Sequence, residues 1–158
     1  MSVIVRPAKQ EELARVNELR RMVNELHVAG RPAHFKPGFG PELQGHLAEQ
    51  SSQPERFGVL VALEDGEVAG FATVQYVHRP EGPYTLPLDY YHVEEFGVDA
   101  AHRRRGVATA LVEYMKADAK ARGFTCLDLD VWAFNDSALA FYEAAGFTTY
   151  RRYMELEV

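Results

Sequence analysis

The chain has 158 residues, 47% of them hydrophobic, with a formal net charge of −6 and one cysteine. That length and apolar content suit a single domain over residues 1–158 with a substantial core, and they exclude a disordered chain. The lone Cys126 excludes an internal disulfide and a cysteine-based metal cluster, and it makes a reducing cytoplasm the expected setting. The acidic balance argues against general nucleic-acid binding. No apolar run is long enough for a membrane span, and the N-terminus runs straight into a strand, so neither a membrane nor a signal peptide is expected.

Val3 to Val5 reads as that first short strand. Glu11 to His27 follows as a helix, with Leu13, Val16, Leu19, Val23 and Leu26 on one stripe. Gly30 to Gly40 is a Gly/Pro-rich loop carrying His34, Phe35 and Phe39. A shorter helix starts at Pro41, where proline suits the first helical position. Phe57 to Glu64 and Glu67 to Tyr76 flank Asp65-Gly66, a strong hairpin signal. Val77 to Asp89 is a second loop, Tyr90 to Asp99 a strand, and Val107 to about Arg122 a helix with Gly123 as its C-terminal cap. Cys126 to Ala133 alternates like a strand, Asn135 or Asp136 caps a last helix, and Thr148 to Leu156 reads as a final strand. The order predicts an α/β fold with a mixed sheet.

The helix at Val107 is amphipathic, with Val107, Leu111, Val112, Met115 and Ala119 on one face, but no Ser, Thr, Asp or Asn stands at its N-cap. Gly106 stands there instead, after Arg103, Arg104 and Arg105. Unpartnered N–H groups at the positive end of a helix dipole, reinforced by three arginines, suit an anion, and phosphate best. A solvated basic turn is the alternative. No dinucleotide fingerprint and no Walker loop is present.

The pattern Arg103-x-x-Gly106-x-Ala108, following a strand that ends Phe96-Gly97-Val98-Asp99, resembles the acyl-CoA signature of the GNAT superfamily of N-acetyltransferases. A second segment, Asn135-x-x-Ala138-x-x-x-Tyr142-x-x-x-Gly146-Phe147, is similar to another signature of that family, and the element order agrees over essentially the whole chain. The resemblance implies a single-domain fold with a mostly antiparallel sheet, splayed parallel central strands and about four helices. It implies acetyl-CoA as co-substrate. Its pyrophosphate would sit on the turn Arg103, Arg104, Arg105, Gly106, Val107, Ala108 and Thr109, and its pantetheine along Phe96, Gly97 and Val98. Asn135 would contact the pantetheine region, and Tyr142 would stabilise or protonate the leaving thiolate. Read without the family, Asn135 is a helix cap, Tyr142 a core aromatic, and Gly97 marks a bulge, a close approach or mere tolerance.

A primary amine is mostly protonated at neutral pH, so its acetylation calls for a proton acceptor. Glu94 matches a strand glutamate of polyamine-acetylating relatives and ranks first; Asp130 matches one in relatives that acetylate protein N-termini. Adjacent Glu94 and Glu95 share one cleft only if a bulge intervenes, and Glu95 reads as a solvated or salt-bridged carboxylate. Cys126 reads as a buried structural cysteine rather than an acyl carrier, and the six histidines show no metal spacing, so no metal is expected.

The expected acceptor is a small cationic amine, received by Phe35, Phe39, Tyr84, Tyr90 and Tyr91 from the two long loops. A peptide or protein amine is the alternative, and a non-catalytic acyl-CoA sensor is the alternative of another class. The final strand with Tyr150, Tyr153 and Met154 suggests a homodimer edge, as is common in the family.

Overall fold

Strands β1 (Val3–Pro7), β2 (Phe57–Glu64), β3 (Glu67–Arg79) and β4 (Leu88–Val98) pair antiparallel in chain order in the computed structural model, which describes residues 2–158. A fifth strand, β5 (Leu127–Leu129), joins β4 in parallel and closes the sheet order β1-β2-β3-β4-β5. The turn at Asp65-Gly66 carries positive φ at both positions (51° and 83°), the geometry a two-residue hairpin needs to match strand twist. Helices α1 (Leu13–Gly30), α2 (Pro41–Ser51), α3 (Val107–Ala121) and α4 (Asp136–Ala144) supply the rest.

The sheet is buried on both faces, so β2 and β3 read as near-continuous apolar runs. Val59, Val61 and Phe71 pack with Leu13, Val16 and Leu19 of α1 and Leu47 of α2. Leu60, Ala62, Ala72, Val74, Tyr91 and Val93 face the other way, onto α3. The predicted stripe of α3 is the buried one: Val107, Leu111, Val112, Met115 and Ala119. On α1 the stripe fades, with Leu26 half exposed at 50%.

Two features of β4 shape everything downstream. Thr73 of β3 stands opposite Glu95 while Val74 stands opposite Val93, so Glu94 is the extra residue of a bulge. The parallel pairing with β5 runs only through Tyr91–Leu127, His92–Asp128 and Val93–Leu129. Past that point β4 keeps β3 on one side and, among the described residues, has no strand on the other.

Several expectations need correction. Residues 130–133 leave the sheet, because β4 diverges and offers them no ladder; the strand expected over Cys126 to Ala133 is three residues long. Residues 148–158 form no strand. A three-residue β5 offers little edge to pair with, and side-chain contacts such as Tyr150 to Asp128 and Arg31 to Glu155 tether the tail. Hence β5 is an edge strand, and the splayed pair is not central. Cys126 is exposed rather than buried. Tyr91 belongs to the core beside α3, where its hydroxyl donates to Asp118 at 2.9 Å, so it cannot line an acceptor loop.

Gly97 is a point of close approach between β4 and α1. A Cβ there would lie 2.8 Å from Val23 Cγ2 and 2.9 Å from Phe71 Cε1. Gly97→Ala is expected to destabilise the fold by about 1–3 kcal/mol, the usual cost of overpacking. An unchanged urea midpoint would remove that explanation for the glycine.

Candidate functional site

The wedge between β4 and β5 opens beyond Val93 and Leu129. Phe96, inside it, packs against Phe141 and Tyr142 of α4, each with ring centroids 6.0 Å away. Phe147 packs edge-on against Tyr142, with ring centroids 5.5 Å apart. Burial pushes the Tyr142 phenol up to about 12, so it stays protonated and can donate a hydrogen bond at neutral pH. Asn135 does cap α4: its Oδ1 accepts the Ala138 N–H at 3.4 Å, and its side-chain amino group has no partner among the described residues.

At the C-terminal end of β4, Asp99 caps a short 3-10 turn (Ala100–His102) by accepting the Ala101 N–H at 3.0 Å, and it also pairs with Arg15 of α1. The chain then alternates into left-handed backbone at Arg104 (φ 61°) and Gly106 (φ 83°). A non-glycine residue at positive φ is uncommon, and here it turns the backbone into a concave N–H cradle. The N–H groups of Arg104 to Thr109 meet no acceptor among the described residues, and the space a Gly106 Cβ would enter is open. Arg103 and Arg104 are exposed and have no ionic partner among the described residues. Arg105 reaches Glu64 at 3.2 Å. Glu64 is buried at 2% exposure, and hydrogen bonds from His102 first and then Arg105 hold its carboxyl below the usual range.

The bulge turns Glu94 and Glu95 to the same face, towards α1 and α2. Buried Gln50 of α2 donates to Glu94 at 2.5 Å. Its own Oε1 finds no partner among the described residues. Such an orphan costs about 1–3 kcal/mol, which an apolar side chain would not; the residue's use is its contact with Glu94. Glu95 is held by buried Arg20 at 3.0 Å, and Arg20 also donates to Asn17 at 2.8 Å and to the Leu43 carbonyl at 2.6 Å. Glu95 is thus the salt-bridged carboxylate expected of it.

Asp128 on β5 shares the face of Glu94. It accepts from Tyr150 at 2.8 Å and lies 2.7 Å from His92 Nδ1. Asp130 stands just past the last paired residue of β5 and is exposed.

An aromatic wall flanks this face. His27 stacks on Phe35 at 5.0 Å, His34 and Phe35 meet Trp132 at 4.9 and 5.2 Å, and Arg31 lies over the Trp132 ring. Burial lowers the His27 pKa. Phe39 covers Arg20. Tyr84 is fully exposed and takes no part.

Sequence reasoning missed Gln50, Arg20, Trp132, His92 and Asp128. The matched parity of His92-x-Glu94 and Asp128-x-Asp130 was the one available signal, and it acquires meaning only from the β4–β5 register. Among the described residues no group of three or more His, Cys, Asp and Glu side chains is arranged to hold a metal. Among the described residues no helix is long and apolar enough to cross a membrane.

The model of the acetyltransferase (GNAT) family matches residues 19–147. The chain belongs to that family. It is 34% identical over 97 residues to the ribosomal protein bS18-alanine N-acetyltransferase of Escherichia coli K12, a match over 61% of this chain and 59% of that one. The chain therefore spans about 59% of the length of such curated relatives. It is 27% identical over 132 residues to the glucosamine 6-phosphate N-acetyltransferase of Trypanosoma brucei brucei, covering 74% of this chain and 86% of that one. Among solved structures, a mutant of the BH1408 protein from Bacillus halodurans superposes with a TM-score of 0.92 at 26% identity, over 98% and 99% of the two chains. AAC(6')-Iy in complex with the bisubstrate analogue CoA-S-monomethyl-acetylneamine gives 0.78 at 19%, over 100% and 99%, a likeness of fold.

Arg20 ties α1, α2 and β4 together from a buried position. Arg20→Met is expected to leave Glu95, Asn17 and the Leu43 carbonyl short of a donor and to destabilise the protein by about 3 kcal/mol. Chemical denaturation measures this, and a loss below 1 kcal/mol would show that the pair is surface-like.

Proposed function

We propose that the protein transfers the acetyl group of acetyl-CoA to a primary amine by direct attack in a ternary complex. The observation that carries this reading is the wedge beyond Val93 and Leu129. It has an N–H cradle without an acceptor among the described residues at the Gly106 end, a face of carboxylates at the other, and Tyr142 packed on Phe96 inside it.

The pyrophosphate of CoA would take the N–H groups of Arg104 to Thr109, with Arg103 and Arg104 adding charge. The pantetheine amides would pair with the open edge of β4 at Phe96, Gly97 and Val98, as an added strand does. Asn135 has a free amino group to offer it. The amine would enter from the face of α1 and α2, drawn as a cation by Glu94, Asp128 and Asp130 and bordered by Phe35 and Trp132. Nitrogen attacks the thioester carbonyl, the C–S bond breaks with its electron pair on sulfur, and the protonated Tyr142 donates to that thiolate. Exposed Cys126 lies before the paired stretch of β5, whereas the wedge opens after it, so no acyl-enzyme on Cys126 is expected.

The favoured acceptor is a small cationic amine, because the receiving face is acidic. A peptide N-terminus is the second reading, supported by the relative named as an alanine N-acetyltransferase. A panel of polyamines, amino sugars and an alanine-initiated peptide, followed by release of free thiol, separates the two. Binding of acetyl-CoA with no transfer to any amine would leave only a sensor.

Gly106→Val is expected to weaken acetyl-CoA binding in calorimetry more than Arg103→Ala, since a branched side chain would fill the cradle and strain a left-handed position. Equal affinities for Gly106→Val and the wild type would sink this turn as the phosphate site.

Tyr142→Phe should keep acetyl-CoA affinity and lose about 10²-fold in turnover, the lower scale for a lost acid. Cys126→Ser should keep most of its activity, and intact-mass spectrometry with acetyl-CoA alone should show no adduct that an amine then removes. Wild-type turnover in Tyr142→Phe would return that residue to the core.

A further inference from the structure

Building on the acetyl-transfer reading above, we infer that His92, oriented by Asp128, is the group that takes the proton from the acceptor amine. His92 precedes the bulge on β4 and stands in register with Asp128 of β5, at the mouth of the wedge. Its neighbours Tyr91 and Val93 point into the α3 core, so the imidazole points to the opposite face, the one that carries Glu94 and Gln50. Asp128 Oδ1 lies 2.7 Å from Nδ1, and a carboxylate there selects the tautomer protonated on that nitrogen. The Nε2 lone pair is left free. No hydrogen bond engages it among the described residues, and the side chain is 23% exposed.

Asp128 is itself positioned. Its second oxygen accepts from Tyr150 at 2.8 Å, and Asp128 raises that phenol to about 12, so Tyr150 remains a donor. Burial opposes ionisation of Asp128, but hydrogen bonds from His92 and Tyr150 and the nearby charge of Arg151 hold its carboxyl below the usual value. The groups around His92 are Tyr90 and Glu94 on β4, uncharged Gln75 opposite on β3, and Asp128 and Asp130 from β5. The hydrogen bond to Asp128 raises the imidazole pKa against the opposing effect of burial, and the charges of Asp130 and Glu94 add to the rise.

The step balances. Nε2 takes a proton from R–NH3+, giving R–NH2 and an imidazolium paired with Asp128. The freed nitrogen lone pair attacks the thioester carbonyl. When the C–S bond breaks, the second proton of the nitrogen goes to the leaving sulfur by way of Tyr142, and the imidazolium later returns its proton to water. In this assignment Glu94, held by Gln50, attracts the cation and does not carry the proton.

The test uses the whole 158-residue chain and the best amine from the panel. His92→Gln should lower kcat by about 10²-fold or more with acetyl-CoA affinity unchanged, and it should remove the limb of the kcat/KM profile that rises with pH. That limb should match the His92 pKa followed by NMR in the wild type, and Asp128→Asn should move both down together. Glu94→Gln should raise KM and keep the limb. The assignment is overturned if His92→Gln keeps the wild-type profile, or if the limb departs from the NMR value and shifts with Glu94→Gln. The NMR and kinetic values of the wild type decide the matter even if His92→Gln fails to fold. A wild type inactive on every amine refutes the acetyl-transfer reading instead, so the two failures are distinct.

Discussion

The site depends on where β4 stops pairing with β5. After Val93–Leu129 the two parallel strands part, and the backbone polar groups of β4 on that side are left without a ladder. Buried backbone groups are nearly always paired, so a persistent opening of this kind belongs either at the surface or against a ligand with its own amides. The adjacent bulge at Glu94 increases the twist and rotates two consecutive carboxylates to one face. One irregular stretch of β4 thus carries both the open slot, which the proposed function gives to a thioester, and the acidic face beside it.

Keeping that irregularity in place falls to α1 and α2. Arg20 grips Glu95 while holding the Leu43 carbonyl, and Gln50 grips Glu94. Gly97 lets α1 approach β4 closely just after the bulge. At the other end, Arg15 and Asp99 fix the exit of β4 into the arginine turn, and Glu64 fixes Arg105 and His102. The strand is therefore clamped at both ends of the wedge by ion pairs, and apolar packing of α3 supplies the bulk of the core.

Much of this was legible in the chain. Period-3.6 apolar spacing located α3 to its buried residues, Asp65-Gly66 fixed the hairpin, and the uncapped start at Gly106 marked the N–H cradle. What escaped has a common cause. A bulge, the length of a parallel pairing and the end of an edge strand are set by register between distant segments, which local propensity does not encode. For that reason the alternation over Cys126 to Ala133 extends beyond the three paired residues of β5, and the segment from Thr148 to Leu156 has a strand-like pattern but no ladder. Tyr91, expected in an acceptor loop, belongs to the core beside α3, and Cys126, expected buried, is exposed. His92 and Asp128, 36 residues apart, could not be paired until the register was known.

The charge distribution gives the two ends of the wedge opposite tasks on an acidic protein. From Glu94 to Asp99 is five steps of strand, about 16 Å at 3.3 Å per residue. At physiological ionic strength charges are screened over about 8 Å, so neither end cancels the other. An anionic diphosphate approaching the net charge of −6 meets a local basic exception at Arg103 and Arg104, while an ammonium is favoured by the rest. Glu64 neutralises Arg105, and Asp99 pairs with Arg15, so the attraction at the turn comes from Arg103 and Arg104, which have no ionic partner among the described residues, and from the helix N-terminus. Under the proposed acetyl transfer, ligands of opposite charge would be sorted to opposite ends of one slot, and the separation that a ternary complex requires would follow from the length of β4 itself.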